Sequence, residues 1–420
     1  MSYKQLNINT IIDYLKTIDE MKNIFSSFDD LIIKEIGDGN LNFVYSITNK
    51  NNDKETVILK QSVPFLRCVG ESYPLEKDRM KIEIKALKEQ YKLCPNLVPN
   101  VYYFSEDMCV VIMQNLNKHK VLRGEIIEGK KFPKAAEDLT DFLSKTLFYT
   151  SDYYLDSKTK KAFVAEYMNA ELCSLTEDFI FTHPFEDNDT NIFYDELNID
   201  EVKKFQRDSK LKIAAAEMKY AFMTKSEALL HGDFHLGSFM GNEEETYVID
   251  PEFAFYGPIG FDIGKAMANF FMAYISHEYH QKRLGTNSKE YRKWLFDTAK
   301  YMLTGTLTKF EVLWKSHLEK TKPLYWQYEE GKKHSEEYIK TVLNRIFRDA
   351  VGFAGCVLIR RTLGLAKNKD ISGIEDLNER ARLDWICLNI GREFLVNKDS
   401  IDNIEKVEKI VNEYSNIDKI

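Results

Sequence analysis

The chain has 420 residues, 44% of them hydrophobic, so it is long enough for two lobes and too apolar to be disordered. Its formal net charge is −8 and its lysines are scattered, which argues against nucleic-acid binding. The N-terminus has no signal-peptide pattern, and the longest apolar run, residues 266–275, is too short to span a bilayer. We therefore expect a cytoplasmic protein with neither a nucleic-acid nor a membrane partner.

Neither the cysteines nor the histidines suggest a metal or disulfide framework. The six cysteines are far apart in the sequence and form no CxxC pair, so we expect reduced thiols. His277 and His280 lie one helical turn apart. They have no third ligand nearby in the sequence, so we do not expect a metal between them.

The first part of the chain predicts a helix, an antiparallel sheet and a second helix. Apolar residues recur at helical spacing over 8–25, and alternating or apolar strand patterns follow. The predicted strands are 31–36, 41–45, 56–60, 101–104 and 109–113. The second helix is predicted at 77–91, after the third strand.

The turn between the first two strands contains Gly37, Gly39 and Asn40. Glycines permit unusual backbone angles, so such a turn can lay its amides over the phosphates of ATP. The same residues also make an ordinary hairpin turn, and the turn alone does not decide between the two interpretations.

Lys60 ends the third predicted strand, and Glu83 lies on the helix that follows. This arrangement is expected for a lysine that contacts the α- and β-phosphates and is oriented by an ion pair with a glutamate. A strand that ends in lysine is common, but its combination with a glycine-containing turn and an acidic helix is much less so. The long loop 64–74, which includes Tyr73, lies between the third strand and this helix. Its length and its mixture of aromatic and charged residues indicate a functional segment.

Gln114, Asn115 and Leu116 follow the last predicted strand. In a two-lobed kinase this is the crossing between lobes, where backbone groups bind adenine. We therefore predict an N-terminal nucleotide-binding lobe at 1–116, a hinge at about 113–117 and a C-terminal catalytic lobe at 117–420.

Helical patterns dominate the rest of the chain, with long amphipathic helices predicted at 134–149 and 202–223. Between them, residues 151–198 form an insertion rich in acidic and aromatic residues. This insertion could cover the active site or form a partner surface, and the sequence leaves both possibilities open.

Residues 229–265 predict a loop, a short β-hairpin and a second acidic loop. Phosphoryl transfer needs a carboxylate beside the attacking hydroxyl and oxygen ligands for magnesium. Asp233 suits the first role, and Asp250 with Glu252 suits the second. A single acidic residue in a glycine-rich loop is usually a solvated turn residue. Three carboxylates flanking one short apolar strand favour function instead.

Two features of the last third bear on this site. We expect Asp262 to cap backbone amides of the loop around Asp233, ahead of an apolar helix at 265–280. Arg360 and Arg361 lie within an apolar, small-residue helix at 346–366. An arginine pair on a helix is most often surface charge. In this apolar segment each would need an anionic or hydroxyl-rich partner, which favours contact with substrate or phosphate.

Several motifs together resemble known families. HGDFHLGSFM and VIDPEFAFYGPIGFDIG resemble the protein-kinase-like small-molecule kinases, the group of aminoglycoside and choline kinases. EIGDGNLNFVY, LKQSVPFLRCVGESYP and GFAGCVLIRRTLGLA narrow the resemblance to the methylthioribose kinase family over almost the whole chain. The resemblance implies an α+β, bilobal protein-kinase-like fold with an antiparallel sheet in the N-terminal lobe and a larger, mainly helical C-terminal lobe.

The resemblance also implies an activity, the ATP-dependent phosphorylation of the anomeric hydroxyl of 5-methylthio-D-ribose in methionine salvage, by a homodimer. Asp233 would position or deprotonate that hydroxyl, and Asp250 and Glu252 would bind Mg²⁺. Arg360 and Arg361 would face the sugar and the transferring phosphoryl group.

For the nucleotide, the resemblance implies that Lys60 and the turn 37–40 hold the ATP phosphates and that residues 114–116 form the adenine hinge. The loop that contains Tyr73 would help to close an apolar slot for the thioether. The chain departs from its relatives at Ser238, where an asparagine metal ligand is common outside this family. It also departs at Tyr73, where tryptophan is usual, and at Gln114-Asn115, where an acidic pair is frequent.

Two alternatives remain at this stage. One is a kinase of an aminoglycoside or of choline. The Arg360-Arg361 pair argues against a polycationic substrate, whereas the acidic insertion 151–198 does not. The other is an inactive kinase fold that serves as a binding scaffold, and the presence of Lys60, Asp233 and Asp250 together argues against it.

Overall fold

The structure is a computed structural model that describes residues 3–36, 42–66, 70–74, 79–286, 289–318 and 331–415. The side chains of residues 66, 70–74 and 332 are not included in this description. The chain divides into two compact units. Unit 1 is Met1–His119 with Tyr247–Ala254, and unit 2 is Lys120–Thr246 with Phe255–Ile420.

Unit 1 combines short helices with antiparallel strands. In chain order its elements are α1 (Ile11–Lys16), α2 (Asp19–Lys22), β1 (Leu31–Glu35), β2 (Asn42–Asn49), β3 (Asn52–Ser62), β4 (Phe65–Leu66), β5 (Gly70–Pro74), α3 (Arg79–Leu93), β6 (Val101–Ser105) and β7 (Val110–Gln114).

Five of these strands form one antiparallel sheet in the order β1-β2-β3-β7-β6. Side chains alternate between the two faces along a strand, so Val57 and Leu59 of β3 enter the core of the sheet while Lys60 faces the other side. Lys60 lies opposite Val44 of β2 and Val111 of β7. The central strand therefore holds this lysine between two neighbouring strands.

The prediction of one continuous helix at 8–25 is wrong. Two short helices, α1 and α2, replace it because Ile18 has an extended backbone with φ −107° and ψ 116°. The apolar pattern nevertheless identified the buried face, since Ile11, Leu15 and Met21 are fully buried.

Unit 2 is mainly helical. Counting on from unit 1, its elements and the strand that leads into Tyr247–Ala254 are β8 (Lys120–Val121), α4 (Leu122–Ile127), α5 (Ala135–Tyr149), α6 (Ser157–Glu166), α7 (Ala170–Phe181), α8 (Ile199–Gln206), α9 (Ser209–Thr224), β9 (Ala228–Leu230), β10 (Phe239–Gly241), β11 (Thr246–Val248), β12 (Phe255–Gly257), α10 (Gly260–Arg283), α11 (Lys289–Ser316), α12 (Gly331–Leu363), α13 (Lys369–Ser372), α14 (Leu377–Val396) and α15 (Ile404–Ser415).

The single helix predicted at 202–223 is also wrong, because the chain forms two helices, α8 and α9. Asp208 causes the break, since its carboxylate accepts hydrogen bonds from the amides of Lys210 and Leu211 and caps α9. The insertion 151–198 has secondary structure of its own. It contains α6, α7 and two short 3₁₀ turns, His183–Phe185 and Asp195–Leu197.

The core of unit 2 is built on α10, which packs against α11 and α12 and is buried along most of its length. An antiparallel sheet in unit 1 and predominant helix in unit 2 confirm the expected α+β class. None of the helices in the described part of the chain is long and apolar enough to cross a membrane. Of the five cysteines within the described ranges, four are buried, namely Cys94, Cys109, Cys356 and Cys387.

Candidate active site

Lys60 is the centre of a charged cluster in unit 1. Its ammonium donates to Glu83 Oε1 at 2.8 Å, contacts Asp250 Oδ1 and lies 3.9 Å from Glu252 Oε2. Burial opposes the charge, but these three carboxylates outweigh it and raise the pKa of Lys60 above its usual value. The expected ion pair between Lys60 and Glu83 is present, with both side chains buried.

Glu252 is held by a chain of hydrogen bonds that the sequence did not reveal. Asn42 Nδ2 donates to Glu252 Oε2 at 2.7 Å, and Arg79 Nη2 donates to Asn42 Oδ1 at 3.0 Å. Burial, followed by the nearby Asp250 charge, raises the pKa of Glu252 to about 8. A cation beside this carboxylate would favour its ionised form.

Asp250 has a backbone φ of 67°, in the left-handed region that non-glycine residues seldom adopt. Such a conformation costs on the order of 1–3 kcal/mol and is characteristic of functional sites. The conformation places the Asp250 carboxylate beside Lys60. The segment that carries it is joined to the rest of unit 1 through a hydrogen bond from Val248 N to Leu97 O at 2.8 Å.

The carboxylates around Lys60 fit a magnesium ion. One oxygen atom from each of Glu83, Asp250 and Glu252 lies within 4.8 Å of the others. Hard oxygen donors of this kind are the ligands that Mg²⁺ prefers. The sequence pointed to Asp250 and Glu252, and the structure adds Glu83, whose Oε1 is already bonded to Lys60.

Gln114 is the last residue of β7, and Asn115 and Leu116 follow it. The Gln114 amide donates to Asn100 O at 2.8 Å, and Asn115 Nδ2 donates to Thr56 Oγ1 at 2.8 Å. The Asn115 side chain thus ties the segment to β3. A contact with adenine here would therefore use backbone groups.

Some of the predicted site residues cannot be placed. Gly37, Gly39 and Asn40 lie outside the described residues. Tyr73 belongs to β5, which pairs with β4, but its side chain is also outside the described part of the chain.

Asp233 lies at the centre of a second cluster, in unit 2. It belongs to a loop, residues 231–238, that follows β9 and that we call the catalytic loop after its expected role. Strand β9 is held by its pairing with β12. Lys265 Nζ is 2.5 Å from Asp233 Oδ1, and His235 Nε2 is 3.1 Å from Oδ2. Burial alone would raise the pKa of Asp233, but His235 and Lys265 lower it well below the usual value. Asp233 is therefore an ionised carboxylate with a donor on each oxygen.

The tautomer of His235 follows from its other contact. Its Nδ1 accepts a hydrogen bond from the Gly237 amide at 2.9 Å, so the ring proton is on Nε2 and is donated to Asp233. Burial lowers the pKa of His235 to about 3, although Asp233 acts in the opposite direction. The ring is thus a neutral donor at physiological pH.

Asp262 caps the catalytic loop, as predicted. Its carboxylate accepts hydrogen bonds from the amides of His231 at 2.7 Å and Gly232 at 3.1 Å. Gly232 has φ +79°, a conformation that favours glycine. The first turn of α10 therefore fixes the backbone immediately before Asp233.

Arg360 and Arg361 both bind the backbone of the segment that follows α12. The Nη1 groups of both donate to Ala366 O, at 3.1 and 3.2 Å. Their Nε groups are buried and have no hydrogen-bond partner among the residues that the structure describes. Burial lowers the pKa of Arg360 to about 10 and that of Arg361 also well below its usual value, while Asp233 raises both. The pair therefore lies within electrostatic range of Asp233 and retains donors for a ligand.

Arg123 at the start of α4 belongs to the same cluster and was missed by the sequence analysis. Its Nη1 lies 3.0 Å from Asp370 Oδ2, and its Nη2 donates to Asn269 Oδ1 at 3.2 Å. The charged members of the cluster are Arg123, Lys265, Arg360, Arg361, Asp233, Asp262 and Asp370. Four cations against three carboxylates leave an excess of positive charge suited to an anionic group such as a phosphate.

These features fit a class of protein, the enzymes that transfer a phosphoryl group to a small molecule. A family model described as the phosphotransferase enzyme family matches residues 184–295, which include the catalytic loop. A solved ethanolamine kinase of Plasmodium vivax is 15% identical and superposes with a TM-score of 0.46, over 94% of this chain and 92% of that one. At this level of similarity the assignment depends on the sequence relatives.

Those relatives identify the family. A methylthioribose kinase of Geobacillus sp. strain WCH70 is 38% identical over 389 residues, which are 92% of this chain and 91% of the relative. Methylthioribose kinase 1 of Oryza sativa subsp. japonica is 35% identical, over 96% of this chain and 94% of its own. The methylthioribose kinase of Enterobacter sp. strain 638 is also 35% identical, over 98% and 99%. The chain belongs to the methylthioribose kinase family, and it is a kinase.

Proposed function

We propose that this enzyme transfers the γ-phosphoryl group of ATP to the anomeric hydroxyl of 5-methylthio-D-ribose, giving 5-methylthioribose 1-phosphate and ADP in methionine salvage. Membership of the methylthioribose kinase family at 38% identity over 92% of the chain carries this proposal. The cluster around Asp233 supports it, because an ionised carboxylate lies among cations in excess, as phosphoryl transfer to a hydroxyl requires.

In this proposal Asp233 accepts a hydrogen bond from the anomeric hydroxyl and aims its oxygen at phosphorus. The O–P bond forms as the bond to the ADP oxygen breaks, and the hydroxyl proton passes to the Asp233 carboxylate. Because the transition state of such transfers is loose, orientation matters more than a strong base, and an aspartate with a low pKa is suitable. Arg360 and Arg361 then offer their remaining donors to the phosphoryl oxygens.

Unit 1 supplies the nucleotide side of the reaction. Lys60, held by Glu83, contacts the ATP phosphates together with the turn 37–40, and residues 114–116 bind adenine through their backbone. The segment with Tyr73 contributes to the slot for the methylthio group. The division into a nucleotide-binding lobe at 1–116 and a catalytic lobe at 117–420 remains part of this proposal, as do the homodimer and the cytoplasmic location.

Asp250 and Glu252 are the residues that would hold Mg²⁺, with Glu83 close by. The metal ion would neutralise phosphate charge on the nucleotide. Asn42 and Arg79 keep the Glu252 carboxylate oriented for this purpose. Ser238 is engaged elsewhere, since its hydroxyl donates to Asp233 O at 2.8 Å.

ADP release from ATP and Mg²⁺ tests the proposal, with 5-methylthioribose compared in parallel with ribose, choline and kanamycin. We expect turnover on 5-methylthioribose, with an acid-labile product as befits a phosphate on the anomeric oxygen. Asp233→Asn should lose about 10²-fold or more of kcat. Turnover confined to choline or kanamycin would refute the substrate and retain the kinase. Near-normal kcat of Asp233→Asn would refute the role of Asp233.

A further inference from the structure

Lys265 is a buried cation to which the sequence motifs assigned no role. Its side chain is 4% exposed and its ammonium has two partners, Asp233 Oδ1 at 2.5 Å and Gly232 O at 3.0 Å. A buried lysine costs several kcal/mol of desolvation unless its partners are well placed. Here both partners belong to the catalytic loop, so contacts within the candidate active site offset the desolvation free energy of Lys265.

We propose that Lys265 is a positioning residue of the kinase reaction and that, with His235, it forms a two-sided clamp on the Asp233 carboxylate. Lys265 holds Oδ1 and His235 Nε2–H holds Oδ2 at 3.1 Å. Each carboxylate oxygen has two lone pairs, so the clamp leaves one on each oxygen for the substrate hydroxyl. The clamp therefore fixes the plane of the carboxylate without occupying the position of the substrate.

The first turns of α10 explain how Lys265 reaches the loop. Asp262 and Lys265 are three residues apart and so lie on one face of the helix. Asp262 binds the amides of His231 and Gly232, while Lys265 binds Gly232 O and Asp233. One face of α10 thus binds three kinds of group in the same short segment: the amides of His231 and Gly232, the carbonyl of Gly232 and the carboxylate of Asp233.

The rotation of α10 about its axis is fixed by close packing on α12. A Cβ atom on Gly260 would lie 2.7 Å from Ala350 N, and one on Gly264 would lie 2.9 Å from Ala354 N. Only glycine allows the two helix backbones to approach this closely. Because α12 also carries Arg360 and Arg361, the same contact sets the positions of the clamp and of the arginine pair.

The charged surroundings show what removal of Lys265 would change. The groups that act on Asp233 are His235 of the loop, Lys265 and Asp262 of α10, Arg123 of α4, and Arg360 and Arg361 of α12. Lys265 is the cation in direct contact with the carboxylate. Loss of its charge should therefore raise the pKa of Asp233, as well as free the carboxylate to rotate.

The experiment compares the Lys265→Met variant with the wild-type enzyme. It rests on the proposed function only in the choice of 5-methylthioribose as the phosphoryl acceptor. We expect kcat to fall about 10²-fold with KM for ATP nearly unchanged, because orientation is lost and the nucleotide site is intact. The acid limb of the kcat/KM profile should move to higher pH, an effect that a purely structural lysine would not have.

Lys160→Met is the matched control. Lys160 is also a buried lysine of unit 2, but its ammonium binds Asp152 Oδ2 and Ser226 O, each at 2.5 Å. This variant should be destabilised while its acid limb stays in place. Equal behaviour of the two variants in the pH profile would overturn the clamp, as would Lys265→Met with kcat within about 2-fold of wild type.

The comparison separates failure of the clamp from failure of the proposed substrate. If the wild-type enzyme phosphorylates another acceptor of the panel, the ratio of variant to wild type is measured on that acceptor. A double-mutant cycle with Asp233→Asn and Lys265→Met needs no acceptor. The melting temperature of the double variant should fall by less than the sum of the decreases in the two single variants. The reason is that each single change leaves a buried charge unpaired. Additive shifts would overturn the pairing.

Discussion

Gly264 of α10 lies against the backbone of Ala350 and Ala354 of α12, so closely that a side chain at position 264 has no space. α10 carries Asp262 and Lys265, and α12 carries Arg360 and Arg361. The contact thus joins the helix that positions Asp233 to the helix that carries the arginine pair. The geometry of the candidate active site depends on this approach of two backbones.

Gly264→Ala should therefore destabilise the protein and reduce turnover. The added methyl group would meet backbone atoms at 2.9 Å or less, so the helices must separate. Overpacking of this kind costs about 1–3 kcal/mol. Urea unfolding checks the stability and ADP release checks kcat.

Gly124→Ala is the control, because a Cβ atom there meets nothing within 4 Å. This change within α4 should be neutral or stabilising by roughly 0.5–1 kcal/mol. Equal destabilisation by both alanines would contradict the importance of the contact between α10 and α12.

The sequence was sufficient where residues belong to a recognisable pattern of motifs. The ion pair of Lys60 and Glu83 and the cap by Asp262 were both expected and are present. The α+β class, which the resemblance of the motifs implied, was also correct. The break between α8 and α9 was missed because the apolar pattern continued through Asp208, whose capping role becomes visible only in its hydrogen bonds.

The residues missed at the site share a different cause. Lys265 and Arg123 are single cations without a motif, and they join the cluster only because α10 and α4 are brought to the catalytic loop by tertiary packing. Lys265 did have one local signal, its position one turn after Asp262 on the same helix face. Asn42 gave no such signal, because its partner Glu252 lies 210 residues away in the sequence.

Lys60→Met should abolish most of the turnover by removing the cation that faces the nucleotide phosphates. Loss of one such electrostatic contact costs about 10²–10³-fold in kcat. Lys81→Met, at a half-exposed lysine that pairs with Glu106, is the control and should behave as wild type. Steady-state kinetics with varied ATP measures both variants. Comparable kcat for Lys60→Met and wild type would exclude the proposed phosphate contact.

Removal of magnesium with EDTA should eliminate turnover, and Asp250→Asn should raise the Mg²⁺ concentration needed for half-maximal rate. Perturbing a metal site typically costs about 10–100-fold in affinity, and loss of a direct carboxylate ligand should be at the upper end. Glu106→Gln, at a half-exposed glutamate of unit 1, should leave the Mg²⁺ requirement unchanged. A wild-type requirement in Asp250→Asn would show that Asp250 does not bind the metal ion.

His277 should make the stability of the protein depend on pH. The ring is fully buried in α10 and its Nε2 donates to Ile126 O at 2.8 Å, so the folded state keeps it neutral. Burial lowers its pKa to about 4, and the neighbouring His280, Arg283 and Arg292 act in the same direction. An unfolded histidine titrates near pH 6.5, so between about pH 6.5 and pH 4 the unfolded chain binds a proton that the folded chain does not. The free energy of unfolding should therefore fall as the pH decreases through this window.

His277→Gln isolates this contribution, since the glutamine amide can still donate to Ile126 O. From about pH 7 to about pH 5.5 the wild-type protein should lose about 1 kcal/mol more stability than the variant. His334→Gln is the control, because His334 is exposed on α12 and its replacement removes no buried contact. Urea unfolding at the two pH values gives the comparison. Parallel losses in the wild type and His277→Gln would mean that His277 takes up its proton without unfolding.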